Sequence, residues 1–346
     1  MSSVRNHALE GLALSTLLAL VLAGCAGSEG GESSLHGPPG ESAAGSLGNA
    51  RAALGANPAG VPEDFIITPM GYMHPSCVIP TGTSDTVLED GSIQSADGSV
   101  RATPPCGFPR FDANGAPLTT ETGGLIRSLS VADGLSFTGW VEAAHDDSMG
   151  PLSFLSTRWT VPSPPSANVG QTIFYFPGIQ PLEQRGSEYT ILQPVLAWRG
   201  EQWLIESWNC CTEGNANTGP VVPVSPGDSI FGSIEGSNCD ESGVCSNWVV
   251  DTLDTSTGAE SRLDTTAYGN VMGWAFGGVL EVYDVSACDQ YPEPGSVTFS
   301  ELDLRSTGGA SVQPTWQLDV TAEPPQCGYG VEVPDPSTVT VFASPF

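Results

Sequence analysis

The chain has 346 residues and carries 39 aspartates and glutamates against 10 basic residues, all of them arginine, for a net charge of -29. Such a charge repels nucleic acid and anionic lipid surfaces, so neither is predicted as a ligand. It is typical of a protein kept soluble by charge, of a saline habitat, or of an acidic working pH at which many carboxylates are protonated.

The N-terminus indicates export. Arg5 provides a positive flank, Leu12 to Leu22 is a short apolar run, and Leu22-Ala23-Gly24-Cys25 resembles the lipobox of a bacterial lipoprotein. The run is too short for a membrane-spanning helix, which needs about 20 residues. We therefore predict a signal peptide over residues 1–24, a lipid anchor on Cys25, and a location in the bacterial cell envelope, lipid-anchored or extracellular. An ordinary secretory peptide and an uncleaved anchor are the alternatives.

Two segments precede the strand-rich part of the chain. Residues 25–60 are rich in Gly, Ser, Ala and Glu without apolar periodicity, which is typical of a flexible tether. Residues 61–120 have few long apolar runs, Asp-Gly turns at Asp90 and Asp97, and prolines around Pro104. They predict a small, disulfide-stapled, loop-rich subdomain or a pro-segment.

Cysteine counting agrees with an exported protein. Without Cys25, eight cysteines remain, an even number that allows up to four disulfides. Pairing cysteines that are near in sequence gives Cys77 with Cys106, Cys239 with Cys245 and Cys288 with Cys327. The neighbours Cys210 and Cys211 would then pair with each other, or one of these three pairings is wrong. A metal site is disfavoured, because the chain has no C-x-x-C pair and no H-E-x-x-H motif. No cofactor is predicted.

Residues 121–346 read as a β-sandwich domain, since short strands alternate with turns and helical periodicity is absent over most of this stretch. Several strands are apolar on both faces, which indicates two stacked sheets, so the fold class is all-β with a jelly-roll-like (concanavalin-like) sandwich. The predicted strands are Phe137–Val141, Ser156–Val161, Thr172–Ile179, Thr190–Trp198, Gln202–Trp208, Val221–Val224, Ser229–Glu235, Asn247–Asp254, Gly278–Val285, Val297–Leu304, Thr315–Val320 and Val339–Ala343.

Three polar residues interrupt apolar strand faces at period two. They are Gln193, Glu206 between Leu204 and Trp208, and Glu281 between Val279 and Tyr283. Burying one uncompensated polar group costs roughly 2 to 7 kcal/mol, so three of them call for a common explanation. A shared polar cleft is the simplest one.

Several sequence blocks follow one another along the predicted sandwich: Trp159-Thr160-Val161-Pro162, Phe176-Pro177-Gly178-Ile179, Ile191-Leu192-Gln193, Leu204-Ile205-Glu206-Ser207-Trp208, Pro226-Gly227-Asp228-Ser229-Ile230 and Val279-Leu280-Glu281-Val282-Tyr283. The order of these blocks resembles that of the glutamic peptidases (eqolisins). The resemblance implies a β-sandwich with Gln193 as catalytic glutamine, Glu281 as catalytic glutamate and Glu206 as a supporting carboxylate. Chemically, a carboxylate would activate water and an amide would stabilise the oxyanion.

The chain departs from the family pattern in the blocks around this pair. The family's Trp-Val-Gly-Ile-Asp-Gly block is Phe176-Pro177-Gly178-Ile179-Gln180-Pro181 here, and its Gln-Thr-Gly is Gln193-Pro194-Val195. Because Pro194 has no N–H to donate to a ladder, we expect its strand to lie at a sheet edge or to carry a bulge.

The leading functional hypothesis is an exported acid endopeptidase that cuts a polypeptide substrate with Gln193 and Glu281. A jelly-roll glycoside hydrolase acting on polysaccharide with Glu206 and Glu281 is the second. A non-catalytic carbohydrate-binding, protein-binding or surface-structural module is the third. If these residues have only a structural role, Gln193 would hydrogen-bond to backbone across the sheet, and Glu281 would form an ion pair with Arg199 or Arg262.

Overall fold

The computed structural model describes residues 57–118, 139–183, 190–322 and 325–343, all of which belong to one compact unit. The predicted signal peptide, Cys25 and nearly all of the tether lie outside these residues. Within them the chain forms 22 β-strands and two 3-10 helices, Pro75–Cys77 and Cys288–Gln290. None of the helices in these ranges is long and apolar enough to span a membrane.

The strands form two large sheets and one small hairpin. In the described residues the first sheet has nine strands, in the order β20-β7-β17-β9-β10-β11-β12-β3, with β13 paired to β11. Its strands are β3 Val78–Pro80, β7 Trp140–Asp146, β9 Thr172–Pro181, β10 Ile191–Arg199, β11 Trp203–Thr212, β12 Asn215–Thr218, β13 Val222–Val224, β17 Met272–Tyr283 and β20 Gln317–Val320.

The second sheet has eleven strands in the described residues, in the order β21-β22-β18-β8-β14-β15-β16-β4-β5-β6, with β19 paired to β18. The hairpin joins β1 Ile66–Thr68 to β2 Gly71–Met73. The strands of the second sheet are β4 Thr86–Val87, β5 Ile93–Gln94, β6 Val100–Arg101, β8 Leu152–Thr160, β14 Ser229–Cys239, β15 Cys245–Asp254, β16 Glu260–Thr265, β18 Ser296–Ser306, β19 Ser311–Val312, β21 Gly330–Asp335 and β22 Thr338–Phe342.

The main core lies between the two sheets. Ile173, Leu196 and Leu280 point into it from the first sheet, and Leu155 and Phe299 from the second. All five side chains are fully buried. Burial of this kind is worth roughly 1.5 to 3 kcal/mol per large apolar side chain, which is the main force holding the sheets together. The predicted all-β sandwich is confirmed.

Pro194 corrects one sequence expectation, because β10 is a central strand between β9 and β11. The ladder pairs Leu192 with Ile179 and Leu196 with Tyr175, so this register sets Pro194 opposite Pro177. Two residues without N–H groups therefore face each other. Neither proline can donate an N–H to the other strand, and the pairing of β9 with β10 is interrupted between Leu192 and Leu196.

The structure forms four disulfides, and they join the pairs named from the sequence: Cys77–Cys106, Cys210–Cys211, Cys239–Cys245 and Cys288–Cys327. Cys77–Cys106 lies wholly within residues 57–118, and the other three lie wholly within residues 139–343. Among the described residues, therefore, no disulfide connects the first of these segments to the second.

Residues 57–118, which we call the cover, contact both sheets. Residues from Phe65 to Met73 pack against the first sheet on the side away from the main core, whereas Val87 and Ile93 lie in the main core. Strand β3 extends this sheet by parallel pairing with β12, and β4 pairs in parallel with β16 of the second sheet. The hairpin β1–β2 contributes to a second apolar cluster with side chains of β9, β10, β11 and β17. The central strands β9 and β10 of the first sheet are thus buried on both faces.

Close packing between the sheets gives a test of the fold. A Cβ at Gly278 of β17 would lie 2.5 Å from Cδ2 of Phe299 on β18, whereas a Cβ at Gly330 would meet nothing within 4 Å. We expect Gly278→Ala to lower the free energy of unfolding by roughly 1 to 3 kcal/mol, the usual cost of overpacking a core. Urea titrations of both variants should show Gly330→Ala close to wild type; equal stability of the two would contradict this packing.

Candidate functional site

The three polar residues singled out in the sequence lie on one face of the first sheet. Strand alternation directs Gln193 of β10, Glu206 of β11 and Glu281 of β17 to the face that the cover contacts, which we call the site face. Their neighbours at period two, including Val195, Trp208 and Val279, belong to the apolar cluster on that face. All three polar side chains are fully buried.

The strand register separates Gln193 from Glu281. Glu281 pairs with Phe174 of β9, which pairs with Ala197 of β10, and Gln193 lies four residues farther along β10. With strands about 4.8 Å apart and a rise of about 3.3 Å per residue, the two Cα atoms lie roughly 15 Å apart. The two side chains share a face, but this spacing does not bring them to one reacting atom.

Glu206 is nearer to Gln193. Gln193 pairs with Trp208, and Val195 pairs with Glu206, so Gln193 and Glu206 are diagonal neighbours on adjacent strands. Residues in such positions have Cα atoms roughly 7 to 8 Å apart, within reach of long side chains. The carboxyl that the sheet places beside Gln193 is therefore Glu206.

Glu206 forms a buried ion pair with Arg199. The guanidinium donates from Nε to Oε1 at 2.7 Å and from Nη2 to Oε2 at 2.8 Å, and Trp208 Nε1 donates to Oε2 at 2.8 Å. These contacts fill three of the about four acceptor sites of a carboxylate, which leaves one without a partner among the described residues. Arg199 also donates from Nη1 to the carbonyl oxygen of Ile67 in the cover, at 3.0 Å. Arg199, which we considered as a structural partner of Glu281, is thus paired with Glu206.

Glu281 has neutral hydrogen-bond partners. Tyr283 donates its hydroxyl to Oε1 at 2.5 Å, and Trp140 Nε1 donates to Oε2 at 3.1 Å. Burial raises the pKa of Glu281 well above its usual value, and these two hydrogen bonds and the charge of Arg110 only partly offset that rise. The other arginine considered for it, Arg262, pairs with Asp264 instead.

Gln193 uses its amide in no hydrogen bond. Both Oε1 and Nε2 are buried and have no partner among the described residues, which rules out pairing with backbone across the sheet there. The neighbouring position on β9 is Gly178, where a Cβ would lie 3.6 Å from Cγ of Gln193. An amide that is buried without partners costs free energy, so it marks a position suited to a ligand or to ordered water.

Arg199, Trp140 and Tyr283 are the site residues whose roles sequence reasoning missed. Tyr283 repeats the period-two spacing of Val279 and Glu281, so the pattern placed it on the correct face. Trp140 pairs with Glu281 through β7, a contact made by residues 141 positions apart. No local sequence pattern predicts such a pairing. In the part of the chain that the structure describes, no group of three His, Cys, Asp or Glu side chains is arranged to hold a metal.

No family model matches the chain, and no curated protein matches it. Among solved structures it is similar to scytalido-glutamic peptidase with a peptide-based transition state analog (17% identity, TM-score 0.44) and with a transition state analog inhibitor (17%, 0.43). It is also similar to SCP-B, a member of the eqolisin family of peptidases, in a complex with the tripeptide Ala-Ile-His (18%, 0.41). Each match covers 59% of this chain and 98% of the solved chain. These likenesses concern the β-sandwich alone.

Buried carboxyls make the stability of this protein depend on pH. Burial raises the pKa of Glu142 to about 8 and that of Asp251 to about 6, and it raises the pKa of Glu281 as well. The folded protein therefore keeps protons that the unfolded chain releases above its own pKa values near 4. This stabilising contribution is complete below those values and is lost as the pH rises through the folded values.

We therefore expect the free energy of unfolding to fall between pH 5 and pH 8, measured by urea titration at each pH. Glu281→Gln, which keeps a neutral side chain at all pH values, should reduce this fall, because one of the carboxyl groups with a raised pKa is then absent. A matched control is Glu301→Gln, since Glu301 is exposed and forms an ion pair with Arg158 at the surface. A pH dependence that is unchanged in Glu281→Gln would contradict the burial of this carboxyl in the folded state.

Proposed function

We propose that the chain is an exported, lipid-anchored acid endopeptidase of the glutamic type, with its site on the face that carries Gln193, Glu206 and Glu281. The observation that carries this proposal is the Gln193 amide, which is buried without a partner beside a carboxylate. Structural amides in a sheet interior are normally hydrogen-bonded, so an unused one is better explained by a bound substrate carbonyl.

In this proposal Gln193 donates from Nε2 to the carbonyl oxygen of the scissile bond and stabilises the negative charge that develops there. Glu206 accepts, at its remaining acceptor site, a proton from the attacking water and then returns that proton to the leaving amine. Arg199 and Trp208 act by holding the carboxylate in one orientation. We assign the water-activating role to Glu206 rather than to Glu281, and the register supports this choice because Glu206 is diagonal to Gln193.

Glu281 then has a binding role. An extended peptide advances about 3.3 Å per residue, so roughly five residues of substrate span the distance from Gln193 to Glu281. A neutral carboxyl both donates and accepts hydrogen bonds, which suits the main-chain groups of such a peptide. An acidic working pH keeps this carboxyl neutral once water reaches it.

Kinetics of three variants test these roles. We expect Gln193→Ala and Glu206→Gln each to lower kcat about 100-fold or more, since both groups act in the transition state. Glu281→Gln should mainly raise KM, because its contacts are made equally in the bound substrate and in the transition state. Cleavage of casein and of short peptides, followed from pH 3 to pH 7 with the purified protein after removal of residues 1–24, gives the measurement.

Trp203→Phe is a suitable control, since Trp203 is buried in the main core on the opposite face of β11. It should change stability more than kcat. Loss of kcat in Glu281→Gln as large as in Glu206→Gln would return the water-activating role to Glu281 and overturn the assignment made from the register.

A non-catalytic binding module is the second candidate, and the separation of Gln193 from Glu281 is the observation that favours it. In that case the site face would bind an extended chain through Gln193 and Glu281 without cutting it. Peptide binding with no cleavage at any pH, in a correctly oxidised protein, would select this function.

The glycosidase alternative receives no such support. Glu206 and Glu281 lie on β11 and β17, three strands apart, so their Cα atoms are roughly 15 Å apart. Glycoside hydrolysis uses carboxyl groups about 5 to 9.5 Å apart on either side of one bond.

The lipid anchor has its own test. We expect the full-length protein, expressed in a bacterium that processes lipoproteins, to sediment with membranes, because several acyl chains on one cysteine anchor a protein firmly. Cys25→Ser should release the protein into the soluble fraction or stop its processing, as seen by immunoblot of the fractions. Unchanged membrane association of Cys25→Ser would contradict lipidation at this residue.

A further inference from the structure

His145 of β7 lies on the site face in the same row as Gln193. His145 pairs with Phe276 of β17, and Phe276 pairs with Gly178 of β9. A Cβ at Gly178 would lie 3.6 Å from Cγ of Gln193. Because Gly178 has no side chain, β9 places none between the Phe276 ring and the Gln193 amide in this row. The row therefore leads from β7 to the Gln193 amide.

The indole of Trp274 covers the Phe276 ring at the β7 end of this row. The two rings are stacked with 5.4 Å between their centroids, and the His145 ring packs beside both. Phe276 is buried, whereas Trp274 is half-buried and so lies between the row and solvent. Rotation of this indole would expose Phe276 and the approach to Gly178.

A hydrogen bond to His145 orients the indole. Trp274 Nε1 lies 3.2 Å from Nδ1 of His145, and His145 Nε2 lies 2.9 Å from Oδ2 of Asp319 on β20. An indole N–H can only donate, so Nδ1 accepts, and the ring proton lies on Nε2, which donates it to Asp319. The neutral form of His145 is therefore the form that holds Trp274.

A second ring proton would break this hydrogen bond. Both nitrogens of a protonated imidazole are donors, so Nδ1–H would face the indole N–H of Trp274 as donor against donor. Two carboxylates favour the charged ring: Asp319 from β20 and Asp146, which follows His145 on β7 and interacts with its charge. β17 presents the uncharged rings of Trp274 and Phe276 to it. An indole N–H without an acceptor is destabilised where it is buried, and rotation toward solvent gives it water as a partner.

We propose that His145 is a positioning residue that makes Trp274 a pH-dependent gate on the row leading to Gln193. At neutral pH the indole is bonded to His145 and closes the row. In acid, where histidine side chains take up a second proton, the indole is released and the row opens. This inference rests on the proposed function, because it supplies a route by which a peptide reaches the Gln193 amide under acidic conditions.

Indole N–H signals of the 15N-labelled full chain, recorded by NMR from pH 8 to pH 4, test the gate. Trp274→Phe identifies the Trp274 signal among those of the eight tryptophans. We expect this signal to shift with pH as one proton is taken up. Its protection against exchange with water, relative to a free indole at the same pH, should fall at least tenfold on the acid side.

His145→Gln is the pH-independent reference. Its amide oxygen can accept from Trp274 and its amide nitrogen can donate to Asp319, and neither group titrates. The Trp274 signal of this variant should stay protected from pH 8 to pH 4. His74→Gln is the matched control, because it replaces a histidine that stacks on Phe108 in the cover, and it should leave the Trp274 titration unchanged.

Asp319→Asn is a second variant in case His145→Gln fails to fold. Asparagine keeps an acceptor for His145 Nε2 but removes a negative charge beside the ring. The second proton should then bind about tenfold less tightly, so the midpoint of the Trp274 titration should move down by about one pH unit. An unchanged midpoint would contradict the assignment of this titration to His145.

The outcomes separate the gate from the peptidase function. If both hold, His145→Gln should lower kcat/KM for a short peptide about tenfold at pH 5 and match wild type at pH 7. A Trp274 signal that titrates as expected, in a protein that cuts no peptide, keeps the gate and overturns the peptidase function. A wild-type Trp274 signal that is constant from pH 8 to pH 4, or one that titrates equally in His145→Gln, overturns the gate. Equal cleavage in acid by wild type and His145→Gln also overturns it, because the indole would then not limit access.

Discussion

The architecture depends on three adjacent strands that are apolar on both faces. In β9 and β10 every residue is buried, and in β11 all but the last are. A sheet of this kind needs a layer on each side, because exposure of either face would forfeit roughly 1.5 to 3 kcal/mol for each large side chain. The second sheet supplies one layer, and the cover supplies the other. Burial of this face by the cover is therefore part of what stabilises the fold.

The polar groups on the site face lie beneath that second layer and have been accommodated in different ways. Glu206 is paired with Arg199 and Trp208, so its charge is compensated by a bidentate partner. Glu281 has only Tyr283 and Trp140 as hydrogen-bond partners, and burial favours its neutral form. Gln193 has no partner in the described residues. A face built only for stability would carry apolar side chains at all three positions.

Acidic conditions suit this arrangement on two physical grounds. A chain with a net charge of -29 repels itself less when its carboxylates take up protons. The buried carboxyls Glu142, Asp251 and Glu281 also favour their protonated forms, so the folded state gains stability as the pH falls toward their unfolded pKa values. Stability in acid and a site that works with a neutral Glu281 therefore go together in our proposal.

The sequence determined the local features of this protein. Period-two patterning with β-branched and aromatic residues predicted most sandwich strands, and it grouped each of Gln193, Glu206 and Glu281 with the apolar neighbours on its own strand. That the three share one face of the sheet follows from the register between strands. The cysteine count led to the four disulfide pairs found. The short polar strands Asn215–Thr218 and Glu260–Thr265 escaped prediction, since their pairing partners rather than their composition hold them in the sheets.

Only the tertiary structure decided which groups meet. The choice of Arg199 for Glu206, and of Trp140 for Glu281, depends on the register between strands, which sequence periodicity leaves open. The position of Pro194 in a central strand, opposite Pro177, likewise follows from the order and register of the strands. The position of the cover over the site face likewise comes from long-range burial. Local alternation decides which side chains of one strand share a face. The alignment of distant strands decides which of these side chains become neighbours and hydrogen-bond partners.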